Sequence, residues 1–177
     1  MTELARVANR PLVRNILLAD VKRPERHRKF LKWLEDCHAE GLPVYGMAFT
    51  VRSPAFLTFE DWSLWDGAPT WNLVMNGSLE ERVERMQDPG IRAELEAEYQ
   101  RGLINGGGTS GRPEDLTVHG SGGVDRIETL IGQRVGDMAA EWGCTVTDVL
   151  LDLSIESRFQ CEFKGQSIDI DPELVRE

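Results

Sequence analysis

The stretch between Pro11 and Thr50 constrains the fold more than any other part of the sequence. It begins with the apolar run LVRNILLA, Leu12 to Ala19, and ends with a second run, PVYGMAFT, Pro43 to Thr50. Between the runs, Pro24 stands at a helix start and Gly41 is placed to cap the helix end in the left-handed conformation. Two strands joined by a helix within about 40 residues are typical of a parallel βαβ crossover. We therefore predict strands near 12–19 and 43–50 and a helix near 25–40.

After this crossover the alternation of strands and helices is interrupted. No strand is predicted between 51 and 111, where a capping box at Ser78 and Glu81 indicates a helix near 78–87 and Pro89 opens a second near 89–101. A loop rich in glycine follows at 106–111, which we interpret as a connection.

The last third resumes the earlier pattern. A short strand is predicted near 116–119, with helices near 134–142 and 145–156, the first stopped by Gly143 and the second capped by Thr145. Because crossover helices separate the three strands, we expect them to be parallel neighbours. The predicted divisions are 1–50, 51–115 and 116–177. Pro172 starts a further helix so near the end that we expect the C-terminus to be cut.

Composition excludes several classes of protein. The net charge of −10 over 177 residues argues against a nucleic-acid partner, which needs an excess of lysine and arginine. No apolar run approaches the roughly 18 residues of a membrane span, and the N-terminus lacks a hydrophobic signal segment. The cysteines Cys37, Cys144 and Cys161 form no disulfide or zinc pattern, which suits a cytoplasmic protein.

Candidate pocket residues follow from strand position. Ligands of parallel α/β sheets lie at the carboxyl ends of strands. Asn15, Phe49 and His119 lie in or near the ends of the three predicted strands, and Arg52 follows the second. Trp71 belongs to an aromatic-rich segment, 56–71, that forms either a substrate cage or the core of the helical region, with the core favoured. A structural, hydrogen-bonded histidine is likewise the alternative for His119.

Other patterns carry little chemistry. The helix near 25–40 holds six cations, which form either an anion-binding patch or, as we favour, a solvated face; they are Lys22, Arg23, Arg26, Arg28, Lys29 and Lys32. The sequence contains no His-x-His, His-Glu-x-x-His or Cys-x-x-Cys motif, so no metal ligands are predicted in this chain.

Two stretches carry a family likeness. They are APTWNLVMNGSLEERVERMQDPGIRAELEAE, Ala68 to Glu98, and LIGQRVGDMAAEWGCTVTDVLLDLSIE, Leu130 to Glu156. Together with GLPVYGMAFT, and in this order, they resemble the later part of the D-aminoacylase-like branch of the amidohydrolase superfamily, the N-acyl-D-amino-acid deacylases and their relatives. The likeness covers most of the chain, and its motifs are structural.

The resemblance implies an α/β fold, a partial (β/α)₈ barrel of the TIM type with an inserted helical subdomain. It also implies a hydrolase in which metal-activated water attacks an amide carbonyl, with zinc as the metal and an aspartate as acid and base. Residues 51–111 would be a lid-like insertion. The family's paired histidines would precede Met1 and its aspartate would follow Glu177. Where a related strand supplies a metal histidine, this chain offers Asn15, Ile16 and Leu17.

Two hypotheses follow. The chain is either a segment of an amidohydrolase acting on a small-molecule N-acyl amino acid, inactive without the remainder of the barrel, or a non-catalytic half-barrel module that binds a partner or forms a homo-oligomer. For the oligomer we expect contacts through the strands and the aromatic-rich segment 56–71, because an open half-barrel exposes strand edges and an apolar face.

Overall fold

The protein consists of two compact units. The computed structural model describes residues 1–8, 10–19, 24–49, 54–60, 65, 67–103, 112–165, 173 and 176, with only the backbone of Ile16 and Phe49. One unit comprises Met1–Ser53 with Ile168–Glu177, and the other comprises Pro54–Ser167. Both contain helices and strands, which confirms the mixed α/β class.

The elements of the first unit are α1 (Thr2–Ala8), β1 (Leu12–Leu18), α2 (Pro24–Ala39) and β2 (Val44–Phe49). Those of the second are β3 (Phe56–Leu57), α3 (Pro69–Met75), α4 (Leu79–Gln87), α5 (Pro89–Gln100), β4 (Thr117–Gly120), α6 (Asp125–Glu128), α7 (Val135–Trp142), α8 (Val146–Glu156) and β5 (Glu162–Lys164). A single 3-10 turn, Pro113–Asp115, precedes β4.

The first unit is the predicted βαβ crossover. β1 and β2 are parallel, with Val13 opposite Tyr45 and Asn15 opposite Met47. Helix α2 covers one face of this pair so closely that a Cβ atom at Gly46 would lie 3.0 Å from the Phe30 ring. A larger residue at this position would push the helix away from the sheet.

The opposite face of the pair is exposed. Val13, Tyr45 and Met47 are 58%, 54% and 55% exposed, and Asn15 shares their face because alternate strand residues point the same way. The cluster of buried apolar residues in the described part of this unit is small and consists of Ala5, Cys37 and Val44.

The second unit contains a small antiparallel sheet. β5 lies between β3 and β4 and pairs antiparallel with both. The predicted strand near 116–119 therefore exists, as β4, but its predicted parallel pairing with the first two strands is wrong. Its backbone groups are satisfied by β5, a strand that the sequence did not indicate. β3 is a further short strand in the region where none was predicted.

Helix ends in this unit agree with the sequence. Ser78 and Glu81 form the predicted capping box of α4, and Thr145 caps α8 with Asp148 at the third helical position. Gly143 ends α7 at φ 66°, a left-handed conformation that favours glycine.

The core of the second unit combines residues from before and after the predicted boundary at 115. Trp71 stacks on Phe59 at 5.8 Å between ring centroids, and Phe59 lies 5.9 Å from Phe163 of β5. Trp65 and Trp71 are both buried. The favoured core alternative is therefore confirmed for Phe59, Trp65 and Trp71, whereas Phe56 of the same segment is 48% exposed. The oligomer contacts expected of segment 56–71 stay a prediction, but the side chains of Phe59, Trp65 and Trp71 are packed inside their own unit and are not free to make them.

Several predicted features lie outside the described residues. They are the glycine-rich segment at 106–111, Pro172 as a helix start, Arg52, and Lys22 and Arg23 of the six cations. In the part of the chain that the structure describes, no helix has the length and apolar character needed to cross a membrane.

Candidate functional site

The predicted pocket residues of the first unit lie on its strands. Asn15 is an exposed residue in β1, opposite Met47, on the face that α2 does not cover. Phe49 is the last residue of β2, so its backbone does occupy the carboxyl end of a parallel strand. The Phe49 side chain lies outside the described part of the chain.

The two predicted pocket residues of the second unit are not brought together. Trp71 on α3 is fully buried among the core aromatic rings. His119 on β4 has a side chain 47% exposed, with Nε2 3.7 Å from Glu162 Oε2 and its ring 4.7 Å from that of Phe56. His119 thus belongs to a surface pair on the small sheet.

The described residues do not fit a zinc site. A catalytic zinc needs three protein ligands, and no group of three histidine, cysteine or carboxylate side chains converges in the described part of the chain. His27 and His38 lie on α2, and Nε2 of His38 is 2.6 Å from the Val44 carbonyl oxygen. His27 is buried, and neither ring nitrogen has a hydrogen-bond partner in the structure.

One candidate binding site is a groove of about 660 Å³ between α4 and the end of α8. This volume lies within the usual range of small-molecule pockets. Phe159, Val83 and Ile155 form its buried and half-buried apolar part. The remaining lining residues, on the outer wall, are Leu79, Glu80, Glu84, Gln87 and Arg158.

An unusual backbone turn places the aromatic floor of this groove. After α8 ends, Arg158 and Phe159 adopt φ values of 53° and 65°, a left-handed conformation that costs energy for residues other than glycine. The Phe159 N–H donates to the Ser154 carbonyl oxygen at 2.6 Å, and the Ser157 hydroxyl accepts from the Cys161 N–H at 2.8 Å. These hydrogen bonds hold the turn.

A buried arginine packs against the floor from the other side. The Arg82 guanidinium lies 4.6 Å from the Phe159 ring centroid, and Nη1 donates to the Glu60 carbonyl oxygen at 2.6 Å. A cation over an aromatic face is attractive. The Phe159 ring is therefore fixed by the turn that carries it and by Arg82.

A second arginine joins α5 to α8 next to this groove. Arg92 donates to Asp148 at 2.9 Å, to Asp152 at 2.6 Å and to the Met86 carbonyl oxygen at 2.6 Å. Partial burial opposes the charged form of Asp148, but hydrogen bonds from Thr145 and Arg92 outweigh it and lower the pKa of this carboxyl. The bridge keeps α8 in place.

The groove lining determines what it can do chemically. Its apolar part can hold an aliphatic or aromatic group, with the carboxylates of Glu80 and Glu84 on one wall and the Arg158 guanidinium at the other end. Hydrogen bonds from its own backbone N–H and from Ser78 lower the pKa of Glu80, which favours the charged form of this carboxylate. Among the lining residues that the structure describes, no nucleophile stands beside a base.

Sequence reasoning missed this groove. The capping box at Ser78 located α4, but the opposite wall depends on the left-handed turn at Arg158, for which the sequence has no glycine or asparagine signal. No protein-family model matches the chain, and no curated protein or solved structure is similar enough to indicate its family.

Proposed function

We propose that this chain is a segment of a metal-dependent amidohydrolase that cleaves the amide bond of an N-acyl amino acid. In this proposal β1, α2 and β2 belong to the (β/α)₈ barrel, and the second unit is an insertion into that barrel. The metal ligands are supplied by barrel strands outside this chain. The resemblance of Ala68–Glu98 and Leu130–Glu156 to N-acyl-D-amino-acid deacylases supports the reaction class.

The observation that carries the proposal is how the second unit begins and ends. Its first strand, β3, pairs with its last strand, β5, and the Gly165 N–H donates to the Ala55 carbonyl oxygen at 2.7 Å. The chain therefore enters and leaves this unit at adjacent points. Domains whose termini are close together are tolerated as insertions between elements of another fold.

The first unit supports the same proposal. A parallel strand pair with a crossover helix is the repeating element of a (β/α)₈ barrel, and strand faces that helices do not cover point to the barrel interior. The exposed apolar residues Val13, Tyr45 and Met47 are of the kind that fills such an interior.

The test compares the 177-residue chain with the protein encoded by the complete reading frame that contains it. We expect the complete protein to hold about one zinc ion per catalytic site and to hydrolyse N-acetyl-D-amino acids until a chelator is added. The isolated chain should do neither. A complete protein that neither binds zinc nor hydrolyses these substrates would contradict the proposal.

A matched variant of the complete protein tests the role of the insertion. Replacement of residues 56–164 by a Gly-Ser-Gly linker joins two adjacent points, Ala55 and Gly165, and should preserve zinc binding. We expect kcat/KM to fall by at least about 10-fold, because closing elements exclude water and complete substrate sites. An unchanged kcat/KM would show that the unit has no part in the reaction.

The exposed sheet face also supports a second candidate, a non-catalytic module that associates with a second copy of itself. Three neighbouring apolar side chains that are each more than half exposed favour association. Sedimentation velocity at micromolar concentration should then show a dimer that Tyr45→Lys dissociates. The control is Leu73→Lys, which changes a side chain of equal exposure on α3 and should leave the dimer intact. A monomeric wild-type chain would contradict this candidate.

A further inference from the structure

A groove of about 400 Å³ in the first unit is lined by cations and aromatic rings. Arg26, Lys29, Phe30 and Trp33 occupy positions i, i+3, i+4 and i+7 of α2, so they form one stripe along the helix. Arg14 of β1 lies against this stripe. Met1 completes the described part of the lining, in which no residue is acidic.

Aromatic rings hold the Arg14 side chain in place. Its guanidinium carbon lies 5.0 Å from the Phe30 ring centroid and 6.0 Å from that of Trp33. The Nε atom of Arg14 is buried and has no hydrogen-bond partner in the structure. Cation–π contact fixes the position of such a group without neutralising its charge.

The three cations of this groove differ from others nearby. Lys32, on the same helix, pairs with Asp36, and Arg6 on α1 pairs with Glu40. Within the described residues, Arg14, Arg26 and Lys29 make no ion pair. This is a concentration of unpaired positive charge in a chain whose net charge is −10.

We propose that this basic groove binds a phosphate monoester that carries a flat aromatic ring. The phosphate would lie among Arg14, Arg26 and Lys29, and the ring would stack on Phe30 or Trp33. Three cations match a dianionic phosphate better than a singly charged carboxylate. The proposal rests on neither candidate function above.

The test is isothermal titration calorimetry of the 177-residue chain with phenyl phosphate at low ionic strength. We expect saturable binding that is at least about 10-fold tighter than that of benzoate or inorganic phosphate, since each lacks one half of the recognised ligand. Equal affinity for inorganic phosphate would overturn the role of the aromatic ring, and equal affinity for benzoate would overturn the choice of phosphate. The absence of saturable binding would overturn the whole proposal.

Matched variants locate the site. Arg26→Gln and Lys29→Gln change exposed side chains, so they should leave the fold intact and weaken phenyl phosphate binding by about 10-fold each. The control Lys32→Gln removes a cation from the same helix outside the groove and should change the affinity by less than about twofold. If all three variants weakened phenyl phosphate binding equally, the effect would come from the general positive charge of the helix, and this would contradict a defined binding site. Circular dichroism confirms that each variant is folded.

Discussion

At the level of single residues, a buried polar side chain of the second unit accepts hydrogen bonds from backbone N–H groups that have no partner within their own helix. Helix α3 begins after Ala68, which offers no side-chain oxygen as a cap. Glu98, a buried residue on α5, instead accepts hydrogen bonds from the N–H groups of Thr70 at 2.8 Å and Trp71 at 3.3 Å. A residue of one helix thus caps another.

This arrangement predicts a large effect of removing the Glu98 carboxylate. Glu98→Ala leaves two backbone donors unpaired, so it should lower the free energy of unfolding by about 1–3 kcal/mol. The control Glu94→Ala changes an exposed residue of the same helix and should cost less than about 0.5 kcal/mol. Urea denaturation measures both values. Equal values for the two variants would refute the capping role.

Because of Tyr99, the free energy of unfolding should fall as the pH rises through the alkaline range. Burial, together with the 2.7 Å hydrogen bond that its hydroxyl donates to Glu114, raises the pKa of Tyr99 to about 12. An unfolded tyrosine has a pKa of about 10. Because the folded pKa is the higher one, this stabilisation is complete below pH about 10 and is lost as the pH rises towards about 12.

Tyr99→Phe tests this dependence. Urea denaturation between pH 9 and pH 11.5 should show a smaller loss of stability with rising pH for the variant than for the wild-type chain, since phenylalanine has no proton to lose. Identical pH profiles would mean that Glu114 does not hold the phenol proton in the folded state.

At the level of elements, local capping sets the starts of α4, α5 and α8. The Asp148 N–H donates to the Thr145 hydroxyl at 3.0 Å, and the Thr145 N–H donates back to the Asp148 carboxylate at 3.2 Å. Thr145→Ala should therefore destabilise the chain by about 1 kcal/mol, and Thr145→Ser should restore most of that stability. Thermal or urea unfolding measures the difference. A serine variant as unstable as the alanine variant would contradict the capping account.

Such local signals explain which elements the sequence predicts. The capping box at Ser78, the left-handed Gly143 and the apolar stripe of α2 each lie within a few residues of the helix that they specify. The pairing of Leu57 with Phe163 has no such signal, because these strands are two and three residues long and distant in sequence. The sequence therefore predicted β4 but assigned it the wrong neighbours.

The same reasoning accounts for the candidate site. Strand position placed Asn15 and Phe49 on the parallel pair, although Asn15 lies in the middle of β1 and not at its end. The α4–α8 groove and the burial of Trp71 depend on packing between distant segments. The sequence shows the cations of α2, whereas Arg14 lies close to them only because β1 packs against that helix. Packing between segments that are distant in the sequence leaves no periodic pattern within a short stretch of residues.

At the level of the whole molecule, the two units differ greatly in the core that they bury. Among its described residues the first unit buries five apolar side chains, of which only Ala5, Cys37 and Val44 form a common cluster; the other two are Leu17 and Ala19. The second has a large continuous core that includes Trp71, Phe163 and Leu150, and its two ends are joined by β3 and β5. Because buried apolar area is the main source of stability, the second unit should fold without the first.

Expression of residues 54–167 alone tests this claim most directly. We expect the segment to unfold in urea in one cooperative transition that coincides with the main transition of the full chain. It should also retain the near-ultraviolet circular dichroism of its buried tryptophans, Trp65 and Trp71. A segment with a broad, non-cooperative transition and no near-ultraviolet signal would show that the second unit depends on the rest of the chain, and would contradict the account.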